Sequence, residues 1–297
     1  MQTNLRQKWK INGIWLLFVL PALLFYLFFL LLPTLSATYY SLTDWDGVTS
    51  TFIGLDNFRA MFHDRLIMAS FRNTVQYTVS ITIVQNGLGL LAAVLLVRAF
   101  RGVNALRTMF FMPHIFSGLV MGYVWGFILE PNIGALNNVL DFLHLGALKM
   151  SWLGDPAVAR WMIVFVSSWQ NFGFSMVIYI AGLQGVPRDL YEYSEVEGAS
   201  KWRKFASITF PLIAPSFTIN MILCLIGNLK LFDQIYSLTG GGPGFATESI
   251  ASTIYKVGFY NGIEWGYGSA LSIVMFLCIL LLSLTMVTLL RRREVEM

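Results

Sequence analysis

The chain has 297 residues, of which 56% are hydrophobic and only 12% charged, and its mean hydropathy is +0.65. Soluble domains carry about 25% charged residues, so the composition excludes a water-soluble globular protein and places the chain in a lipid bilayer. The net charge of +4 and the pI near 9.1 report membrane topology and do not argue for nucleic-acid binding.

A membrane helix needs about 20 apolar residues, and six stretches reach that length: about 13 to 33, 73 to 97, 108 to 129, 161 to 183, 212 to 236 and 268 to 290. The expected fold is an all-α membrane protein with six transmembrane helices. Lys8 and Lys10 precede the first stretch as in a signal peptide. Its apolar core, however, exceeds the usual 7 to 15 residues, and Pro33 closes it without an Ala-x-Ala type of cleavage site. A retained helix is expected within residues 1–35, followed by an external segment over 36–72. A five-helix core then occupies 73–290, ahead of a short tail, 291–297. The external stretches 131–160 and 237–267 are long enough for small helices packed on the bundle.

In the third span, Gly118, Gly122 and Gly126 form a ridge of small residues that lets another helix approach closely, from inside the bundle or from a second subunit. In the fourth, Trp169-Gln-Asn-Phe-Gly-Phe174 interrupts the apolar run, and amides there are costly to leave facing lipid. In the fifth, Asn228, Lys230, Asp233 and Gln234 fall within two turns. Lys230 lies about 27 Å along that span at 1.5 Å per residue. It is therefore expected either to snorkel to the external interface beside Asp233 or to line a substrate path.

Between the fourth and fifth spans runs a charged segment, Val186 to Pro211. Pro187 opens a helix whose first turns carry Asp189, Glu192, Glu195 and Glu197, where the helix dipole favours negative charge. Gly198 breaks that helix, and a basic segment with Lys201, Arg203 and Lys204 follows. A helix, a glycine elbow and a second helix are expected.

Cys224 and Cys278 fall inside spans, where thiols behave as small hydrophobes. His63, His114 and His144 lack the spacing of metal ligands. Gly240-Gly-Gly-Pro-Gly244 lacks the lysine of a phosphate-binding loop and reads as a tight turn. Neither a metal site nor a nucleotide site is expected.

The hairpin resembles the signature of the membrane subunits of binding-protein-dependent ABC importers: Glu-Ala-Ala, three residues, Gly, nine residues, Ile-x-Leu-Pro. Glu192 takes the glutamate position, Gly198 the glycine, and Ile208 and Pro211 the end. Tyr193 and Ser194 replace the alanines, and Phe210 replaces the leucine. Leu238-Thr-Gly-Gly-Gly-Pro243, Ala246-Thr-Glu248 and Gly266-Tyr-Gly-Ser-Ala270 look like the carbohydrate branch of these permeases. Ser41-Leu-Thr-Asp-Trp45 and Phe52-Ile-Gly-Leu-Asp-Asn-Phe58 are similar to the maltose-type first subunit of a two-permease heterodimer.

That resemblance implies a type I ABC importer permease, which is no enzyme itself. It implies a cytoplasmic coupling helix using Asp189, Glu192, Glu195, Glu197, Gly198, Ile208 and Pro211. By motif position it carries the sugar pocket onto Gln170, Asn171, Phe174 and Asn228, with Trp169, Lys230 and Asp233 in the same candidate pathway. The implied partners are a second permease, two copies of an ATPase subunit that bind ATP and Mg, an extracytoplasmic sugar-binding protein and the sugar. The alternatives are a permease for another small polar solute, such as an amino acid or a polyol phosphate, and an intramembrane enzyme.

Basic residues set the orientation. Arg6, Lys8, Lys10, Arg98, Arg101, Arg107, Arg188, Lys201, Arg203, Lys204, Arg291, Arg292 and Arg293 flank one side, against Arg59, Arg65, Arg72, Lys149, Arg160 and Lys256 on the other. The richer side is the cytoplasmic one, so both termini and the hairpin are expected there, in a prokaryotic inner membrane. With Cys224 and Cys278 replaced, cysteines at Ser50 and Thr247 are expected to react with an impermeant thiol reagent from outside, and one at Ser200 is not. External labelling at Ser200 overturns the six-span topology.

Overall fold

A computed structural model describes residues 17–260 and 264–291. The expectations for Met1, Arg6, Lys8, Lys10, Arg292, Arg293 and Met297 lie outside the described residues. Among the described residues there is no β-strand, only an isolated antiparallel bridge between Thr43 and Phe52.

The helices are α1 (Leu17–Tyr40), α2 (Asp56–Met61), α3 (Arg65–Leu96), α4 (Val103–Ile115), α5 (Gly118–Ile128) and α6 (Ala135–Phe142). They continue with α7 (Pro156–Gln184), α8 (Arg188–Val196), α9 (Lys201–Leu212), α10 (Ala214–Leu229), α11 (Asp233–Leu238), α12 (Ile250–Phe259) and α13 (Trp265–Arg291). Four of them, α1, α3, α7 and α13, are long and apolar enough to cross a membrane unbroken. The pairs α4/α5 and α9/α10 reach that length only together, so the expected six spans are obtained when each bent pair counts as one.

Those two spans are where straight helices were expected and are not found. The third bends by 99°. Pro113 sits near the end of α4, and Phe116 and Ser117 take extended backbone before α5 restarts at Gly118. The fifth bends by 68° at Ile213, between Pro211 and Pro215. Each proline removes a backbone donor and clashes with the preceding turn, so a pair two residues either side of Ile213 makes a hinge there. The segment expected as one helix over 212 to 236 is thus three pieces, because the chain also leaves α10 at Lys230 and re-enters α11 at Asp233.

The described chain divides into two compact units. The first combines the chain up to Met61 with Ile254–Val274. Here the buried Asn57 donates to the carbonyls of Ser41 (3.0 Å) and Thr43 (2.8 Å), tying α2 to the turn after α1. Trp45 stacks on Tyr40 and meets Trp265 edge-on, with ring centroids 3.8 and 4.7 Å apart.

The second unit comprises Phe62–Thr253 and the end of α13, and its axis is the pair α3 and α7. Each starts on an aspartate cap: Asp64 accepts from the backbone of Leu66 and Ile67, and Asp155 from that of Ala157 and Val158. Both helices start earlier than the expected apolar stretches, and the caps satisfy amides that would otherwise be orphaned. Tyr77, Ile81, Ile163 and Val166 form one buried cluster between them, together with Leu231 and Ile235. Ala92, Ala93, Met176, Tyr179 and Ile180 form another, closed by Ile213.

Close approach in this unit depends on missing side chains. A Cβ on Gly173 of α7 would collide with the backbone carbonyl of Phe110, so the close crossing of α4 over α7 depends on the missing side chain there. The expected glycine ridge of α5 packs inside the unit: Cβ atoms on Gly118 and Gly122 would strike Asp233 and Ser237 of α11. Thr247 is fully buried, which corrects its choice as a labelling position; Phe245, 53% exposed, is the accessible neighbour.

Gly173→Ala puts a methyl group against fixed backbone, and overpacking of this kind costs about 1 to 3 kcal/mol. Gly87 is helical with nothing within 4 Å of an added Cβ, so Gly87→Ala is expected to be neutral or stabilising by up to about 1 kcal/mol. Thermal unfolding of the detergent-solubilised protein checks the pair, and equal melting temperatures would refute the packing assignment.

Candidate functional site

A cavity of about 340 Å³ lies where the chain leaves α10 at Lys230 and re-enters α11 at Asp233, with His114, two residues before the break of the third span, on its wall. It is lined by Asn171 and Phe174 of α7, Asn228 of α10, and Lys230 and Asp233 at the α10–α11 junction. Five of the seven residues expected on a substrate path are thus brought together. Trp169 and Gln170 are not in the lining. Trp169 packs edge-on against Trp125, 5.3 Å between centroids. Gln170 is buried and spans the break, donating to the carbonyl of Phe116 (3.0 Å) and accepting from Gln234 Nε2 (2.8 Å).

The cavity also contains Gln85, His114, Phe232 and Gln234, of which Gln85 drew no attention in the sequence. The signal was present: Gln85-Asn86 interrupts the second span just as Gln170-Asn171 interrupts the fourth. The amides of these helices interlock. Gln85 Nε2 donates to Ser175 Oγ (3.0 Å) and to the Asn171 carbonyl (3.3 Å), and Asn228 Nδ2 donates to Thr82 Oγ1 (3.1 Å). Deeper along α3, Asn86 Oδ1 accepts from both Tyr179 (2.5 Å) and Asn220 (2.8 Å). Burying these groups is tolerable because each is paired.

After this pairing, the oxygens Gln85 Oε1 and Asn228 Oδ1 and the carboxylate of Asp233 retain no hydrogen-bond partner among the described residues, though all three side chains line the cavity. The ring of His114 stacks on Phe174, 4.8 Å between centroids. Lys230 caps the C-terminus of α10, where the helix dipole favours a cation. Among the described residues, no carboxylate lies within 4.0 Å of its ammonium, so of the two expectations for Lys230 the pairing with Asp233 is not seen and the place on the cavity wall is. The lining therefore offers several acceptors, one ammonium and an aromatic face.

The hairpin forms as its residues dictate. Pro187 precedes α8, and Gly198 takes φ +69°, a left-handed value that suits glycine. Ser200 caps α9 by accepting from the Arg203 amide. Tyr191 and Thr209 hydroxyls bond at 2.9 Å and Lys204 Nζ meets Glu195 Oε1 at 2.9 Å, clamping the two arms. The bond from Lys204, then its charge, holds the Glu195 carboxyl below the usual carboxylate range. A lowered value means the clamp is present above the ordinary carboxyl pKa and is lost only as pH falls through the lowered one, so it is charged at neutral pH.

Asp189, Glu192 and Glu197 remain exposed, as do Tyr193 (71%) and Val196 (88%) on α8 and Trp202 (75%) on α9. Ser194, which stands where the signature has alanine, is 9% exposed and turns back to the Tyr191 carbonyl. Ile208 and Pro211 lie half-buried along α9.

Fold and site together define an all-helical membrane permease whose second unit holds a polar cavity. Residues 85–295 match the family described as the binding-protein-dependent transport system inner membrane component, and the chain belongs to that family. It is a transport subunit and not an enzyme. The chain is similar to the probable starch degradation products transport system permease protein AmyD of Thermoanaerobacterium thermosulfurigenes, 39% identical with 98% of this chain and 99% of that one covered. It is also similar to the trehalose/maltose transport system permease protein MalF of Thermococcus litoralis, 35% identical over 97% of each. A solved chain of a bacterial ABC transporter involved in the import of the acidic polysaccharide alginate superposes with a TM-score of 0.85, covering 97% of this chain and 99% of that one. At 23% identity this likeness is one of fold.

Proposed function

We propose that this permease passes a sugar or short oligosaccharide across the cytoplasmic membrane by alternating access, powered by separate ATPase subunits. The observation that carries the reading is the acceptor-rich cavity: Gln85, Asn228 and Asp233 present unpaired oxygens beside Phe174. A polyol supplies hydroxyl donors for the oxygens and an apolar ring face for the aromatic group. The names of the two curated relatives support the same substrate class.

In this reading residues 73–290 act as the transporter domain, and both termini and the hairpin face the cytoplasm. A second, homologous permease completes the pathway. Two ATPase copies hold ATP with Mg, and this chain holds neither. A sugar-loaded external protein delivers the substrate. Asp189, Glu192, Glu195 and Glu197 give α8 an acidic surface for the ATPase, with Glu192 as its anchor, Gly198 as the elbow, and Ile208 and Pro211 carrying α9 into the bundle. Lys230 favours a second reading, an anionic polyol such as a polyol phosphate, because an unpaired ammonium in a cavity attracts an anion.

Charge reversal at Glu192 opposes two like charges at a docking contact and costs several kcal/mol. Glu192→Lys is expected to release the ATPase or to uncouple hydrolysis from transport while the chain still inserts. Normal uptake by that variant sinks the anchor assignment.

Asn228→Leu removes an acceptor from the cavity, and an unpaired hydroxyl in a dry site costs about 1 to 3 kcal/mol. Uptake into proteoliposomes is expected to fall accordingly, and Asn171→Leu to act similarly by untying His114. Normal transport by both rejects the cavity as the sugar path. Lys230→Met alongside them separates the two substrate classes: it lowers uptake of an anionic polyol selectively in the second reading and spares neutral sugars in the first.

A further inference from the structure

The neighbours of the His114 imidazole determine which of its two nitrogens donates. Its Nδ1 lies 2.9 Å from Asn171 Oδ1. The amide nitrogen of the same asparagine donates to the Ser167 carbonyl at 2.9 Å. A carbonyl oxygen only accepts, so the NH2 group must face Ser167, and reversing the amide would oppose two oxygens. Asn171 therefore presents its oxygen to the ring, and an amide oxygen also only accepts. Nδ1 must carry the proton, which leaves Nε2 of the neutral ring as a bare lone pair.

That lone pair has no hydrogen-bond partner among the described residues, although His114 lines the cavity. The ring cannot turn freely to find one. It stacks on Phe174 with 27° between the planes, and its backbone follows Pro113 at the end of α4. Two contacts thus fix the plane and the tautomer of a group whose remaining polar atom makes no bond within the protein.

We propose that His114 Nε2 accepts a hydrogen bond from one particular hydroxyl of the transported sugar and thereby selects which hydroxyl pattern the permease passes. Asn171 is then a positioning residue that holds the imidazole in its accepting tautomer. The proposal rests on the sugar reading above. An imidazole that merely pinned the break in the third span would need only its Nδ1 bond, and the chemistry at Nε2 would be immaterial.

Side-chain amides separate the two roles. Asparagine at this position can reproduce the Nδ1 bond and cannot reach the place of Nε2, whereas glutamine brings an oxygen to that place. The complete transporter, with its partner permease, ATPase and binding protein, is reconstituted in proteoliposomes and given maltose, maltotriose, trehalose or raffinose at saturating loaded binding protein. For a sugar that is taken up, its rate is compared with those of its monodeoxy analogues in the same vesicle preparation, so that the ratio is independent of how much protein has folded.

Wild-type protein is expected to carry one analogue about tenfold more slowly, the factor for one lost bond of ordinary strength. In His114→Asn that ratio is expected to collapse to near one while the other ratios persist, and His114→Gln is expected to restore much of it. Unchanged ratios in His114→Asn, or a wild-type protein that distinguishes no analogue, overturn the acceptor role and leave the sugar reading standing. Failure of the wild-type complex to take up any of the four sugars overturns the sugar reading, and the acceptor role falls with it.

Discussion

The second unit depends on one constraint, that buried polar groups in an apolar bundle must find partners on other helices. Asn86 shows how it acts. Its oxygen takes hydrogen bonds from Tyr179 on α7 and Asn220 on α10, and its nitrogen bonds to the Thr82 carbonyl one turn back. One side chain therefore fixes the positions of three helices. A purely apolar surface would let them slide, because packing against lipid and against leucine are nearly equivalent. Interhelical bonds of this kind contribute only about 0.6 kcal/mol each on average, yet a wrong register would leave several of them unmade at once. Their value lies in specifying one arrangement.

The same constraint explains why the helix breaks can exist. Breaking a helix inside a membrane exposes backbone groups that no water can satisfy. At the bend of the third span, the Phe116 carbonyl is taken up by Gln170 Nε2, and Gln170 is itself held by Gln234. The irregular backbone is tolerated because an amide from a neighbouring helix binds it. The residues that made the fourth span look anomalous in the sequence thus divide between two tasks. Gln170 stabilises a break, and Asn171, one position on, orients a side chain of the cavity.

What could be read from the sequence follows from this division. The apolar stretches are long-period signals and gave the spans, and the Pro187, Gly198 and Ser200 chemistry of the hairpin is local, so it too was legible. The bends were not, although their cause was visible: Pro113 and Pro215 stand within stretches of continuous hydrophobicity and Pro211 at the edge of one, and hydropathy averages over them. The cavity was half legible. A polar residue within a span announces a partner and leaves open whether that partner is protein or substrate. Gln170 and Asn171 carry the same signal, and only the register of α4 against α7, set by the close contact at Gly173 and Phe110, distinguishes them. Lys230 was left between two alternatives for a related reason. Its distance along the fifth span assumed one straight helix, and the chain turns out of that helix at the lysine itself.

The hinges at Ile213 and Lys230 also determine how short the connection is between the two candidate sites. From the elbow at Gly198 the chain runs through α9 to Ile213, then along the 16 residues of α10 to Asn228, Lys230 and the cavity. At 1.5 Å per residue α10 spans about 24 Å, and it presses on α3 through Asn220 and Asn228. The hairpin arms are tied by Tyr191–Thr209 and Lys204–Glu195, so α8 and α9 are linked by side chains as well as by the elbow. A displacement applied to α8 therefore has a stiff path to α9 and meets its first compliant point at Ile213, where two prolines interrupt the helix. Beyond that point α10 carries Asn228, an acceptor of the cavity, on one continuous segment.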